Sequence, residues 1–327
     1  MNILITGGAG YIGSHIVEQL TKKNNNIFIL DNLETGNKIL INKRANFIKG
    51  DIKNKKLVNK IIKEYKIKTI FHLAAYLNVS EAEKNKSKYR KNNIEGTQNL
   101  LLACKNSEVE NFIFSSSCSI YGNIKGNVSE RIKPNPQGYY AYTKFIGEEL
   151  VKKYSQNYKF KYGILRYFNV AGASESGKIG EIETSYGHLI KNIAIQSLKQ
   201  KPLINIFGNN YQTKDGTCVR DYIHVSDLAN IHIKGLNYLK RNKKSFILNC
   251  GYGKGYSVLE IVNLFRKIKK NLTIKYKKRR AGDIAQVYSN TKKFYKLFRW
   301  KPKHNDMYSI IKSAIKWEKK IKNFKNF

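Results

Sequence analysis

The first half of the chain alternates short apolar runs with longer stretches whose apolar residues recur at helical spacing. Because the apolar runs are continuous, they predict strands that are buried on both faces of a parallel sheet. The predicted strands are residues 2–5, 27–30, 46–48, 69–73, 111–115 and 162–165. The predicted helices between them are residues 11–23, 57–65, 93–105 and 140–158. This alternation indicates an α/β fold with a doubly wound parallel sheet.

The second half is less regular and is punctuated by glycines. Its predicted helices are residues 225–239, 257–270 and 306–322. We therefore expect residues 1–168 to form the sheet domain and residues 169–327 to form a smaller, loop-rich region that binds a second ligand. A part near residues 219–250 is expected to return to the first domain.

Composition places the chain among globular proteins, since hydrophobic residues make up 41% of its 327 residues. No apolar run approaches the roughly 18 residues that a membrane span needs. The first residues lead directly into a strand pattern, so we expect a cytoplasmic protein without a signal peptide. The four cysteines are scattered and are expected to be reduced thiols. The histidines show no metal-ligand spacing, so no metal is predicted.

The formal net charge of +38 raises the question of an anionic partner. The lysines, however, are spread over the whole chain, and concentrated runs occur only at residues 275–280 and 316–325. Such runs are most often solvated faces. The charge therefore predicts neither a specific nucleic-acid partner nor a membrane partner.

The first predicted strand leads into a glycine-rich loop, Gly7-Gly8-Ala9-Gly10-Tyr11-Ile12-Gly13, and then into a helix. Glycines allow a tight turn and a close approach of backbone to a pyrophosphate, which the helix N-terminus attracts. Asp31 follows the second strand at the distance expected of a residue that grips the adenosine ribose. Its carboxylate would repel a 2′-phosphate. This part of the chain therefore predicts a Rossmann domain that binds NAD rather than NADP.

Tyr140 and Lys144 stand four residues apart, so both side chains lie on one face of the predicted helix. Free tyrosine has a pKa near 10, and a nearby ammonium and nicotinamide cation would favour its ionised form. Tyr140 is therefore the candidate base for a reacting hydroxyl. Ser117 lies where an apolar strand runs into four hydroxyls, Ser115, Ser116, Ser117 and Ser119. Position alone does not choose among these serines for the partner of the reacting oxygen.

Nearly from end to end, the chain resembles the extended short-chain dehydrogenase/reductase family, and within it the nucleotide-sugar epimerases. The resemblance rests on the glycine loop, the Tyr140–Lys144 pair and motifs farther along the chain. These later motifs are Leu165-Arg166-Tyr167-Phe168-Asn169, Ile206-Phe207-Gly208, Val219-Arg220-Asp221-Tyr222 and Arg279-Arg280-Ala281-Gly282-Asp283. The resemblance implies that Tyr140 is the base, Lys144 its partner and Ser117 the hydrogen-bond partner of the substrate hydroxyl.

The resemblance also implies two sets of ligand-binding residues. The NAD-binding set is Gly7, Gly10, Tyr11, Ile12, Gly13, Asp31, Asn32, Asp51, Ile52, Leu73, Ala74, Ala75, Asn92, Ser117, Tyr140, Lys144 and Phe168. The set that binds the UDP-sugar is Asn169, Leu189, Phe207, Arg220, Tyr222, Arg280, Asp283 and Val287. The implied activity is the interconversion of UDP-glucose and UDP-galactose through transient oxidation at C4. A homodimer is also implied, with helices 93–105 and 140–158 at its interface.

Three positions depart from the family pattern. Leu77 stands where some members have a lysine near the cofactor, and Tyr139 replaces a frequent proline. Val287 stands four residues after Asp283, where members restricted to plain hexoses often carry tyrosine. A small side chain at this position predicts space for an N-acetyl group, and hence exchange of UDP-GlcNAc with UDP-GalNAc, unless another side chain fills the space.

Three other functions stay open. A 4,6-dehydratase needs acid–base groups near the serine, but this chain has Ser117-Cys118-Ser119, which disfavours dehydration. A UDP-uronate 4-epimerase is harder to exclude from the sequence, although the loop motifs fit the enzymes that act on UDP-hexoses better. A non-catalytic NAD-sensing regulator would not need to keep the tyrosine, the lysine and the UDP motifs together.

Overall fold

The computed structural model describes residues 1–182, 188–280 and 283–325. The chain forms two compact units. The first unit comprises Met1–Gly122, Glu130–Tyr167 and Ala229–Asn249. The second unit comprises Asn123–Ser129, Phe168–Leu228 and Cys250–Phe327. Residues 229–249 thus belong to the first unit although they follow residue 168 in the chain.

Strands and helices alternate through the first half of the chain. In the described residues the strands are β1 (Asn2–Thr6), β2 (Asn26–Asp31), β3 (Asn46–Lys49), β4 (Thr69–His72), β5 (Asn111–Ser117), β6 (Gly126–Val128), β7 (Lys161–Tyr167), β8 (Asn169–Ala171), β9 (Leu203–Phe207), β10 (Val219–His224), β11 (Phe246–Cys250), β12 (Gly255–Ser257), β13 (Thr273–Lys277) and β14 (Gln286–Ser289). The α-helices are α1 (Tyr11–Leu20), α2 (Lys55–Glu64), α3 (Val79–Lys84), α4 (Lys86–Tyr89), α5 (Thr97–Ala103), α6 (Tyr139–Tyr158), α7 (Leu189–Ser197), α8 (Val225–Asn242), α9 (Val258–Arg266), α10 (Lys292–Phe298) and α11 (Met307–Lys325).

A seven-stranded sheet in the order β11-β7-β5-β4-β1-β2-β3 forms the first unit's core. Its neighbouring strands from β7 to β3 pair in parallel; Ile3 of β1, for example, is in register with Ile27 on one side and Thr69 on the other. The residues at the centre of β1 are fully buried, as strands covered on both faces must be. The predicted doubly wound α/β class is confirmed.

One face of this sheet is covered by α2 and α5. Ile61 of α2 and Leu100 of α5 pack with Leu4, Ile70 and Phe112 of the strands in one hydrophobic cluster. The order of β2, β1 and β4 leaves the loops after these strands side by side at the carboxyl edge of the sheet. Parallel α/β sheets bind their ligands at this edge.

The second unit has smaller sheets, in which β12, β10, β14 and β6 pair in that order and β8 also pairs with β10. A parallel pair, β13 and β9, stands apart from them. Asp221 of β10 is fully buried, and its carboxylate accepts backbone hydrogen bonds from Tyr252, Gly253 and Ser289 at 2.9–3.0 Å. This carboxylate therefore joins two segments that are distant in the chain.

Several predicted elements differ in their bounds, and two of these differences bear on the site. The predicted helix 93–105 begins instead as a π-helical turn, Arg90–Gly96, and continues as α5. The turn places the side-chain amide of Asn93 against the backbone of Tyr76. The amide oxygen accepts the N–H of Tyr76 at 2.9 Å, and the amide nitrogen donates to the carbonyl oxygen of Tyr76 at 3.1 Å. Strand β5 runs to Ser117, two residues beyond its predicted end, so the hydroxyls belong to the strand itself. Among the described residues, no helix combines the length and apolar character that membrane crossing requires.

Candidate active site

The glycine-rich loop connects β1 to α1 at the carboxyl edge of the sheet. Gly7 has a φ of +73°, and a Cβ on Gly13 would stand 2.1 Å from the carbonyl oxygen of Gly7. Both positions therefore require glycine. In this described segment, α1 begins at Tyr11 with neither a side-chain cap nor an acidic residue in its first turn. Such a helix N-terminus suits a phosphate group, so the loop fits a dinucleotide.

Asp31 ends β2 beside this loop and is buried. Its carboxylate accepts hydrogen bonds from the backbone N–H of Ala9 at 3.0 Å and of Leu33 at 2.9 Å. Burial raises the pKa of Asp31, and the two backbone hydrogen bonds offset part of that rise. Asn32 donates to the carboxylate of Asp51 at 3.0 Å. Polar groups of the loops after β2 and β3 are therefore held together, as a ribose site requires.

The other residues predicted to bind NAD lie in three places. Ile52 and Asn92 are buried in the first unit. The loop of Leu73, Ala74 and Ala75 follows β4, and its backbone lies against Gly7, where an added Cβ would stand 2.8 Å from the nitrogen of Ala74. Phe168 belongs to the second unit.

Tyr140 and Lys144 lie one turn apart in α6, and both are buried, with exposed fractions of 9% and 4%. The ammonium of Lys144 donates to the carbonyl oxygen of Ser115 in β5 at 2.9 Å. Burial lowers the pKa of Lys144 to about 8, although the charge of Glu148 opposes the shift. This hydrogen bond joins α6 to the strand that carries the serines.

The serines at the end of β5 have separate partners. The hydroxyl of Ser116 is buried and donates its proton to Glu148 at 2.5 Å. The hydroxyl oxygen of Ser117 accepts the backbone N–H of Ser119 at 3.2 Å, and its own proton can still be donated. These contacts favour Ser117 over Ser116 as the partner of a reacting oxygen.

A buried polar network beneath the serines was missed by the sequence analysis. Arg166 of β7 donates to both carboxylate oxygens of Glu148 at 2.9 and 2.7 Å, and to the hydroxyl of Tyr121 at 2.8 Å. Tyr121 in turn donates to Asn249 at 2.8 Å. The position of Glu148 four residues after Lys144, on the same helix face, is a sequence signal that could have revealed it.

Residues predicted to hold the UDP meet around β10 in the second unit. Tyr222 of β10 is in register with Asn169 of β8, and Arg220 with Val287 of β14. The guanidinium of Arg220 lies 3.8 Å from the carboxylate of Asp283. The sequence analysis did not predict β8 or β14, yet these strands assemble four residues that are far apart in the chain.

The remaining residues of this set lie on neighbouring elements. The guanidinium of Arg280 stacks 4.0 Å from the ring centroid of Phe207, at the end of β9. Leu189 begins α7. Ala281 and Gly282, which belong to the quoted motif, lie outside the described residues.

A narrow crevice in the second unit, much smaller than a nucleotide, is lined by Asn169 and Tyr222 together with residues that the sequence analysis missed. One wall holds a buried ion pair, in which Lys191 of α7 contacts Glu318 of α11 at 2.5 Å. Lys191 also donates to the carbonyl oxygen of Glu181 at 2.7 Å. The described residues contain no group of three or more His, Cys, Asp or Glu arranged to hold a metal ion.

Fold and site define a class: an α/β enzyme with a dinucleotide loop and a buried tyrosine–lysine pair. The chain belongs to the NAD dependent epimerase/dehydratase family, whose family model matches residues 3–251. This match confirms the predicted resemblance and the predicted use of NAD.

Individual relatives cover almost the whole chain. The UDP-glucose 4-epimerase of Lactobacillus helveticus is 40% identical over 322 residues, which cover 98% of this chain and 97% of that protein. Among solved structures, the UDP-glucose 4-epimerase of Stenotrophomonas maltophila, with bound NAD and formylated UDP-arabinopyranose, has a TM-score of 0.94, 32% identity and 99% coverage of both chains. The UDP-Glc/GlcNAc 4-epimerase of Campylobacter jejuni has a TM-score of 0.85 and 39% identity, with coverage of 98% and 99%.

Proposed function

We propose that this protein is an NAD-dependent UDP-hexose 4-epimerase that interconverts UDP-glucose and UDP-galactose. The observation that carries the proposal is the buried pair of Tyr140 and Lys144, fastened through Ser115 to the strand that ends at Ser117. The relatives named UDP-glucose 4-epimerase support it, because this chain matches them over nearly their whole length.

Proton transfer is the task of Tyr140. An ordinary tyrosine is a weak base at neutral pH, because its pKa is near 10. The ammonium of Lys144 stabilises a phenolate four residues away, and the hydroxyl of Ser117 holds the sugar oxygen against it. NAD, when bound, would supply the acceptor and donor of the hydride exchanged with sugar C4. Tyr140 takes the hydroxyl proton in the first half of the cycle and gives it back in the second.

Epimerisation requires that the 4-keto sugar turn over while its nucleotide stays in place. Arg220 and Arg280 provide planar guanidinium donors, which suit a diphosphate. Asn169 and Tyr222 are neighbours in the paired strands β8 and β10 of the same unit and are proposed to hold the uridine part. The sugar itself is proposed to have few polar anchors, so that either face of C4 can receive the hydride.

N-acetylated sugars are proposed as a second substrate class. Val287 is a small side chain in β14, in register with Arg220, a residue of the proposed UDP set. The Campylobacter jejuni relative, 39% identical, is described as a UDP-Glc/GlcNAc 4-epimerase. Both observations favour room for an acetamido group.

The test is NMR of the purified protein with NAD⁺ and either UDP-glucose or UDP-GlcNAc. We expect UDP-galactose to form from the first, and we expect Tyr140→Phe to abolish it. The matched control is Tyr142→Phe, which alters an exposed tyrosine on the same helix and should leave turnover unchanged. Formation of a 4-keto-6-deoxy sugar would instead show that the protein is a 4,6-dehydratase. If NAD binds but neither sugar reacts, the protein would be better explained as a UDP-uronate 4-epimerase or as a non-catalytic NAD-sensing regulator.

A homodimer and a cytoplasmic location remain predictions of the resemblance and of the sequence. The dimer is proposed to form through α5 and α6, where it would pair two copies of the catalytic helix. Light scattering of the eluting protein measures its mass directly, and a monomer at micromolar concentration would contradict the prediction.

A further inference from the structure

Glu34, Tyr76 and Lys88 form a polar cluster in the first unit that the proposed chemistry does not use. The hydroxyl of Tyr76 donates to the carboxylate of Glu34. The ammonium of Lys88 lies 3.1 Å from the other oxygen of that carboxylate and 2.9 Å from the carboxylate of Glu81. It also stands 4.3 Å from the ring centroid of Tyr76, within the range of a cation–π contact. Each of the three side chains therefore contacts the other two.

The position of this cluster follows from the order of the strands. Glu34 lies three residues after Asp31, in the loop that follows β2, and Tyr76 lies in the loop that follows β4. Because β1 lies between β2 and β4, the Tyr76–Glu34 hydrogen bond crosses the carboxyl end of β1. The two strands whose loops it joins are two strand spacings, or about 10 Å, apart. The glycine loop that would hold the pyrophosphate begins at that same end.

Tyr76 is also anchored toward the catalytic helix. The amide of Asn93 binds the backbone of Tyr76 on both sides and donates to the hydroxyl of Thr143 at 3.1 Å. Thr143 stands next to Lys144 in α6, and the ring of Tyr76 packs in one cluster with Tyr140. A continuous set of contacts thus runs from the loop after Asp31 to the helix that carries the proposed base.

Folding stability is a poor explanation for the charged part of the cluster. The side chains of Glu34 and Lys88 are 42% and 32% exposed. Ion pairs with this exposure contribute about 0–1 kcal/mol to folding, because water screens them. Epimerisation, by contrast, needs the cofactor to stay bound between two hydride transfers, since early loss would leave the sugar oxidised.

We propose that Glu34, Tyr76 and Lys88 form a clasp across the dinucleotide site that slows the release of NAD during the catalytic cycle. This inference rests on the proposed function, because it assigns the cluster to the cofactor of that reaction. The three residues act as positioning residues that hold two loops together, and they need not touch the reacting atoms. The clasp acts on how long the cofactor stays bound, so the hydride-transfer step itself should not depend on it.

The test measures NAD release from the NAD-loaded full-length protein without any sugar. Isotope-labelled NAD is bound, an excess of unlabelled NAD is added, and the label that remains on the protein is followed by mass spectrometry. We expect Tyr76→Phe, Glu34→Gln and Lys88→Met each to release NAD about tenfold faster, the effect of losing one hydrogen bond to a charged group. The matched control, Tyr142→Phe, should release NAD at the wild-type rate.

Two further measurements distinguish a specific effect on NAD release from a general loss of folding stability. The Tyr76→Phe/Glu34→Gln double variant should release NAD no faster than the faster single variant, because both changes act on the same hydrogen bond: one removes its donor and the other removes the charge of its acceptor. With saturating NAD, the variants should keep the wild-type kcat and the wild-type melting temperature of the NAD-free protein. Unchanged release in all three single variants, or release that increases only in step with a lower melting temperature, would overturn the clasp.

The two proposals can fail separately. Faster release in the variants of a protein that does not epimerise UDP-glucose would support the clasp and contradict the proposed reaction. Epimerisation of UDP-glucose by the wild type, with no change of NAD release in the variants, would support the proposed reaction and contradict the clasp. A protein that binds no NAD would overturn both.

Discussion

Glu148 and Arg166 form a bidentate ion pair that is almost completely removed from water, with exposed fractions of 0% and 3%. The pair joins α6 to β7, and Ser116 and Tyr121 complete its hydrogen bonds. Removing one partner of a buried pair leaves the other charge without compensation. The pair thus fixes the helix of Tyr140 to the sheet at a point two turns from the proposed base.

We expect Glu148→Gln to lower the free energy of unfolding by about 3–5 kcal/mol, because it leaves the buried Arg166 charge unbalanced. Urea denaturation measures the change. Glu149→Gln is the matched control, since it alters the next residue of the same helix in an exposed ion pair with Lys152 and should change stability by less than about 1 kcal/mol. Equal effects of the two substitutions would contradict the importance of the buried pair.

A second test of the same pair replaces both partners. Glu148→Leu combined with Arg166→Met removes the charges together, so neither is left uncompensated in the interior. We expect the double variant to be more stable than Glu148→Gln. A double variant that is less stable would mean that packing and the bonds to Ser116 and Tyr121 outweigh the charge effect.

Continuous apolar strands and their following loops could be read from the sequence because each is local. Residues 3–5 and 27–30 are buried runs, and the glycine loop and the acidic residue that follow them stand at fixed distances along the chain. The second unit lacks such local signals. Strands β8 and β12 have three residues each, which is too few to show a period, and they gain definition only by pairing with β10.

Long-range polar pairs were invisible for the same reason. Lys191 and Glu318 are 127 positions apart, and Glu34 and Tyr76 are 42 apart. In a chain with 61 lysines and arginines, a single lysine offers no sign that it will be buried beside a carboxylate. Only the fold brings these partners together.

The glycine loop offers a prediction that separates folding from cofactor binding. A Cβ on Gly10 would meet one close atom, the carbonyl oxygen of Gly7 at 3.2 Å, whereas a Cβ on Gly13 would collide with backbone at 2.1 Å. We expect Gly13→Ala to destabilise the NAD-free protein by about 1–3 kcal/mol, as overpacking does. Gly10→Ala should nearly keep the fold but weaken NAD binding, because its methyl group would occupy space proposed for the pyrophosphate.

Calorimetric titration with NAD and thermal melting of the NAD-free protein measure the two effects. Wild-type affinity in Gly10→Ala would contradict the proposed place of the pyrophosphate. Wild-type stability in Gly13→Ala would contradict the close contact between α1 and the loop.

Lys144 leads to a prediction about alkaline pH. Burial lowers its pKa from 10.5 to about 8 in the folded protein. Between these two pH values the unfolded chain binds more protons at this residue than the folded chain, so the contribution of Lys144 to stability increases with pH. Below about pH 8 the folded protein instead bears the cost of a buried charge.

We therefore expect the stability of the NAD-free wild type to increase relative to Lys144→Met by up to about 3 kcal/mol between pH 8 and 10.5. Urea denaturation of both proteins across this range measures the difference. The control is Lys153→Met, which removes an exposed lysine from the same helix and for which no such divergence is expected. A constant difference between wild type and Lys144→Met would mean that Lys144 stays protonated in the folded state.

Val287 provides the sharpest test of substrate range, because it is a small, buried residue in register with Arg220. We expect Val287→Tyr to reduce turnover of UDP-GlcNAc at least about tenfold while UDP-glucose is still converted, since a bulky ring would occupy the space proposed for the acetamido group. Val287→Ile, which adds one methylene, is the matched control and should affect the two sugars alike. NMR of both reactions with each variant measures the ratio. Parallel loss of both activities together with a lower melting temperature would show overpacking between β10 and β14, and unchanged turnover of UDP-GlcNAc would place the acetamido group elsewhere.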